Sequence, residues 1–216
     1  MAINLYGYWR SSCTWRVRLV LAYKGLAYRV HPVHLLEGGG QQHQPDHLEK
    51  SPLAQVPALE HKGLTLSQSL PIMLYLEDSF ASPSVLPAEG AARYQVLEIA
   101  EAINAGTQPL QNLEVMQRLS KDFGLSKEQA RAFASAYIER GLKGTEKLIR
   151  RSRGIYCVGN QFTIADACLI PQLYNARRFE LDLDKFPVLL EIETALSKLS
   201  ILDSAHPDRQ PDAVLS

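Results

Sequence analysis

An α/β first half followed by an all-helical second half is the fold class that this chain of 216 residues predicts. Three observations carry the expectation. Up to Phe80 the patterns run β-α-β and then β-β-α. Pro83, Pro87 and the small residues between them interrupt the pattern. Beyond that break, long helical periodicities follow one another without a convincing strand. The expected domains are therefore 1–82 and 88–216.

Each element has its own signal. Ile3 to Tyr6 reads as a buried strand. In the helix that follows, Cys13, Val17, Val20 and Leu21 fall on one face, while Trp15, Leu19 and Ala22 make a second apolar face. Gly25 is placed as its stop, and Tyr28 to Val33 reads as a second strand. Gly38-Gly39-Gly40 opens a polar loop with Gln41, Gln42 and His43. A hairpin is expected from Val56 to Leu66, turning at His61-Lys62-Gly63. Ser67 or Ser69 would then cap a helix running from Leu70 to Phe80. In the second half, helices are expected from Ala91 to about Leu119, from Ser126 to about Arg151, and from Pro187 through Leu199. Thr163-Ile164-Ala165-Asp166 reads as a capping box ahead of apolar Ala167 to Leu173, a folding cap only. The tail from His206 to Ser216, with two prolines, reads as irregular.

Bulk composition narrows the function classes. Lys plus Arg and Asp plus Glu balance at 23 each, so no large positive field is available for nucleic acid or an anionic membrane surface. No apolar run approaches the length of about 18 residues that a membrane span needs. Cys13, Cys157 and Cys168 are an odd set without CxxC spacing or a nearby His cluster, which argues against a disulfide framework or a metal site. The chain opens on a strand pattern without a leader pattern, and a cytoplasmic protein is expected.

The chemistry concentrates in Ser11-Ser12-Cys13-Thr14-Trp15-Arg16-Val17-Arg18. Two hydroxyls and a thiol crowd a helix N-terminus, where unpaired N–H groups and the helix dipole favour an anion. A thiolate is the matching anion, and it belongs either to Cys13 or to a bound thiol cofactor. Ser11 and Ser12 fit simple N-capping as well as an active-site role. Cys13 fits a buried structural cysteine as well as a nucleophile whose pKa the helix start lowers. Gln68 and Ser69 stand at a second helix start, which is either a cap or an anion site. Gln108 and Asn112 are spaced to share one helix face. Arg10, Arg16 and Arg178 fit surface ion pairs, or bidentate anchors for a substrate carboxylate.

The order of halves, together with S-S-C-x-W-R-V-R, resembles the zeta class of the glutathione transferases. Supporting motifs run along nearly the whole chain: Gly39-Gly40-Gln41-Gln42, Gln55-Val56-Pro57, Gln68-Ser69-Leu70, Gln108-Pro109-Leu110-Gln111-Asn112-Leu113, Gly154-Ile155-Tyr156-Cys157-Val158-Gly159, Arg178-Phe179 and Gln210-Pro211-Asp212. Thr14, Ser51-Pro52-Leu53-Ala54 and a longer stretch from Lys121 to Arg131 depart from the pattern. The resemblance implies a thioredoxin-like first domain that binds glutathione and a helical second domain. Ser11 would donate to the glutathione thiolate, with Ser12 supporting it and Cys13 tuning the site. A cis Val56–Pro57 bond would offer the Val56 backbone to the cysteinyl part, Gln68 and Ser69 would take the γ-glutamyl carboxylate, and Gln42 the glycyl end. Gln108 and Asn112 would touch substrate or glutathione. Arg10 and Arg178, with Arg16 the weaker third, would anchor the substrate. The activity implied is isomerisation of maleylacetoacetate to fumarylacetoacetate in aromatic amino-acid catabolism. Maleylpyruvate isomerisation, or a conjugating or dehalogenating transferase, is the alternative. A homodimer is also implied.

Overall fold

The computed structural model describes residues 2–214. Met1, Leu215 and Ser216, which include the outer ends of both expected domains and of the tail, lie outside the described residues. The chain forms two compact units. One comprises 1–85 together with 199–216, and the other spans 86–198. Among the described residues, no helix is long and apolar enough to cross a membrane.

In the first unit, β1 (Ile3–Gly7), α1 (Ser12–Tyr23) and β2 (Tyr28–Pro32) come first, then a short α2 (Pro45–Leu48). The hairpin β3 (Ala58–His61) and β4 (Leu64–Ser67) leads into α3 (Ser69–Ser79). The sheet order is β2-β1-β3-β4, with β1 parallel to β2 and the other pairs antiparallel. Along β1, Ile3 and Leu5 are buried while Asn4 and Tyr6 are half-buried, the alternation a strand with one covered face requires. Helix α1 is buried on nearly every side from Ser12 to Leu21, in keeping with its two apolar faces. Gly7 admits it closely: a Cβ there would run into the Thr14 side chain. Helices α1 and α3 pack on each other, with Val17, Val20, Leu21, Ile72, Met73 and Leu76 closed off from solvent.

The second unit holds α4 (Gly90–Asn104), α5 (Leu113–Lys121), α6 (Lys127–Ser152), α7 (Ile164–Arg178) and α8 (Pro187–Leu196). Val96, Ile99, Ile103, Ile138, Leu142 and most of α7 form its core. Three expectations need correction. The helix expected from Ala91 to Leu119 is broken after Asn104, and a 3₁₀ turn spans Gln108–Gln111. Pro109 supplies no N–H and disfavours helical backbone at the residue before it. Thr107 Oγ1 caps Ala102 O at 2.9 Å and is buried. The α3 cap is Gln68, at φ 76°, and not Ser67 or Ser69. Finally, α8 stops at Leu196, and the segment beyond it, with α9 (Ile201–Ser204), belongs to the first unit instead of the helical one.

Candidate functional site

Sheet register brings the predicted residues of the first unit to one end. Gly7 pairs with Pro32, Tyr6 with Ala58, and Ala58 with Ser67. The C-terminal end of β1 is therefore level with four segments. These are the turn into α1, the loop after β2 that contains Gln42, the Gln55–Pro57 approach to β3, and the β4–α3 junction at Gln68-Ser69.

The turn into α1 is closed by the Ser11 N–H donating to Tyr8 O at 3.0 Å. Ser11 is the N-cap; its Oγ accepts from the Thr14 N–H at 3.3 Å, and the first turn carries no acidic residue. A hydroxyl used this way keeps its own proton to donate. Ser12 and Thr14 are buried, while Ser11 and Cys13 are half-buried and remain open to a ligand.

At the second helix start, Ser69 is buried and its Oγ accepts from Arg16 Nη1 at 3.2 Å. Arg16 itself is 0% exposed, which withdraws it from the set of carboxylate anchors. Its guanidinium instead ties α1 to the start of α3. Gln68 Nε2 donates to Gln55 Oε1 at 2.9 Å, joining that junction to the Val56 segment. The Val56–Pro57 bond is cis. Gln55 is held on both backbone groups: its N–H donates to Ser51 Oγ at 3.3 Å, and its carbonyl meets His47 Nε2 at 2.9 Å. Among the described residues, the neighbouring Val56 makes no backbone hydrogen bond, so its N–H and C=O are open to an added strand. Gln42 is buried beside Gly40, whose missing side chain matters, since a Cβ there would lie 2.5 Å from Gln42 Nε2. Its Oε1 has no partner among the described residues.

Residues 1–78 match the glutathione S-transferase N-terminal domain. Over 213 residues, 99% of each chain, the protein is 40% identical to a probable maleylacetoacetate isomerase of Vibrio cholerae. It is 43% identical to a maleylacetoacetate isomerase from Anaeromyxobacter dehalogenans solved with GSH bound in its active site, at a TM-score of 0.88 over 99% of this chain and 98% of that one. A maleylpyruvate isomerase described as a bacterial zeta-class glutathione S-transferase aligns at a TM-score of 0.92 and 32% identity, over 98% of this chain and all of that one. The chain belongs to the zeta-class glutathione transferases.

The remaining candidates of this zeta-class chain divide between its units. Arg10 is half-buried, with its guanidinium 5.3 Å from the Trp9 ring centroid. Arg178 is exposed at the end of α7, in the second unit. Gln108 and Asn112, also in the second unit, do not share a helix face as expected. Gln108 opens the 3₁₀ turn, and Asn112 caps α5 by accepting from the Leu113 N–H at 2.8 Å. Cys157 and Cys168 are fully buried, and burial, reinforced by Asp166, pushes the Cys157 thiol well above its ordinary pKa. Neither is a nucleophile. Sequence reading missed His47 and Ser51, because a side chain that anchors a distant backbone carries no local pattern.

Proposed function

We propose that the chain is a glutathione-dependent cis–trans isomerase that converts maleylacetoacetate to fumarylacetoacetate. One observation carries the reading. A hydroxyl-capped helix start, an open backbone edge at Val56, a second helix start at Ser69 and the buried Gln42 amide gather at one end of the sheet. That set of donors and acceptors fits a tripeptide thiol with a carboxylate at each end, and the relatives named for this isomerisation align over 99% of the chain.

When bound, glutathione supplies the thiolate whose reversible addition makes the substrate's cis double bond a rotatable single bond. Ser11 donates its free hydroxyl proton to that sulfur, assisted by the dipole of α1. Ser12 supports the turn, and Cys13 shapes the neighbouring wall. Stabilisation by Ser11 raises the thiolate fraction but lowers nucleophilicity with a Brønsted slope of about 0.4–0.5, and it speeds departure. Its benefit therefore falls mainly on the elimination half of the reaction. Val56 pairs with the cysteinyl backbone through N–H and C=O. Gln68 and Ser69 hold the γ-glutamyl carboxylate at the α3 start, and Gln42 takes the glycyl end. Arg10 and Arg178 are the anchors for substrate carboxylates, where a planar guanidinium fork suits the task. Gln108 and Asn112 add polar contacts to substrate or glutathione.

The reading includes a cytoplasmic homodimer; three free cysteines support the reducing compartment, and the resemblance to the glutathione transferases supports the pairing. Light scattering that shows only monomer would overturn the dimer. Turnover of maleylacetoacetate with and without glutathione tests the function. Isomerisation should require glutathione and leave its total unchanged; stoichiometric consumption would instead identify a conjugating transferase. The fit to the maleylpyruvate enzyme supports a second reading, and a clear preference for maleylpyruvate over maleylacetoacetate would favour it.

A further inference from the structure

A four-residue turn leaves the backbone groups of its second residue unpaired, and in the turn Tyr8–Ser11 that residue is Trp9. Both of its groups are nevertheless satisfied. The Trp9 N–H donates to Asp212 Oδ2 at 3.0 Å, from a residue 203 positions away. The Trp9 carbonyl accepts from Arg18 Nη2 at 2.8 Å. Arg18 is 2% exposed and reaches the tail as well, through Nε to Ala205 O at 3.1 Å. Burial draws the Arg18 pKa down to about 10, partly offset by the Asp212 carboxylate, so the guanidinium stays charged at neutral pH. The tail is itself braced. Gln210 Nε2 donates to Ser204 O and His206 O, and the His206 ring packs edge-on against Trp15 at 5.2 Å.

We propose that the C-terminal Gln210-Pro211-Asp212 motif positions the reactive turn. Asp212 and Arg18 grip Trp9 from both sides and thereby set where Ser11 presents its hydroxyl. Asp212 is a positioning residue: it acts through the Trp9 amide as a hydrogen-bond acceptor. The proposal rests on the glutathione reading above, and its consequence is specific. Loss of the grip should leave glutathione binding nearly intact, since Gln55 beside Val56, Ser69 and Gln42, whose Nε2 donates to Leu35 O at 3.4 Å, have contacts of their own, while weakening thiolate stabilisation at Ser11.

The test uses the full-length chain with glutathione as probe. The readouts are the ultraviolet absorbance of the bound thiolate at neutral pH, the glutathione Kd by calorimetry, and amide hydrogen exchange across 8–13. Asp212→Ala should speed exchange in that segment and lower the thiolate signal about tenfold, about one pKa unit or more of lost stabilisation, with Kd shifted less than about threefold. Asp212→Asn, which keeps an acceptor, should restore most of the signal. An unchanged thiolate signal in D212A overturns the proposal, and so does a D212N no better than D212A. Should D212A fail to fold, Pro211→Gly loosens the same tail with Asp212 retained, and an unchanged thiolate signal there overturns the proposal equally. Wild-type protein without any thiolate signal would instead overturn the glutathione reading on which the proposal stands.

Discussion

Ser11 and Cys13 sit two residues apart at the start of α1, and both are half-buried, so their roles separate only by substitution. Ser11→Ala removes the half-buried hydroxyl that caps α1. Isomerase kcat should fall about a hundredfold or more, as for loss of one donor to a developing anion, with the fold retained by circular dichroism. Near-wild-type turnover would end its assignment as thiolate donor. Cys13→Ala should alter the glutathione Kd yet keep substantial activity. Complete inactivation of a folded C13A protein would transfer the nucleophile to Cys13 itself. The helix start at Ser11-Ser12-Cys13 was legible from the chain because it is a local event. Arg16 was misread for the complementary reason: an arginine looks alike in sequence whether it faces solvent or, as here, lies fully buried against Ser69.

Helices and their ends divide in the same manner. The capping box at Thr163 was readable four residues at a time, and Asp166 performs as expected, accepting from the Thr163 N–H at 2.8 Å and from its hydroxyl at 2.9 Å. It also accepts from the Cys157 N–H at 2.9 Å, a contact that no local pattern announced. Asp166→Ala strands these buried donors and should cost about 3 kcal/mol or more, measured by urea unfolding. A loss under about 1 kcal/mol would show that the box is dispensable. The break between α4 and α5 was signalled only by Gly106 and Pro109, between two helical patterns that read as one run. The packing of Thr107 against Gly141, where a Cβ would run into the threonine side chain, fixes the turn together with Pro109. The α3 cap escaped notice for a related reason: serine is the common cap, whereas Gln68 is set there by its backbone at φ 76° and its bond to Gln55.

Long-range closure of the chain uses buried polar contacts as well as apolar surface. Lys24, at the end of α1, lies 2.7 Å from Glu77 of α3 and donates to Phe80 O and Pro83 O at 2.6 and 2.9 Å. Burial pushes the Glu77 carboxyl up, but hydrogen bonds from Lys24, Ser84 and the Val85 N–H, with the Lys24 charge, more than reverse this and hold its pKa below the ordinary 4.5. A depressed carboxyl contributes stability above its unfolded pKa and loses it as pH falls through the folded value. Glu77→Gln should therefore cost about 1–3 kcal/mol at neutral pH, and the gap to wild type should narrow as unfolding is measured into acid. A constant gap would remove the linkage. Periodicity, capping residues and turn chemistry, all acting within a few positions, were enough to specify the β-α-β-β-β-α order, most helices and the two helix starts at Ser11 and Ser69. Tertiary structure alone decided that the tail returns to the first unit, that Arg16 and Arg18 are buried braces, and that four separate segments meet at one sheet end. Those outcomes depend on partners as distant as the 203 positions between Trp9 and Asp212, and hydrogen bonds across such separations exist only once the core has closed.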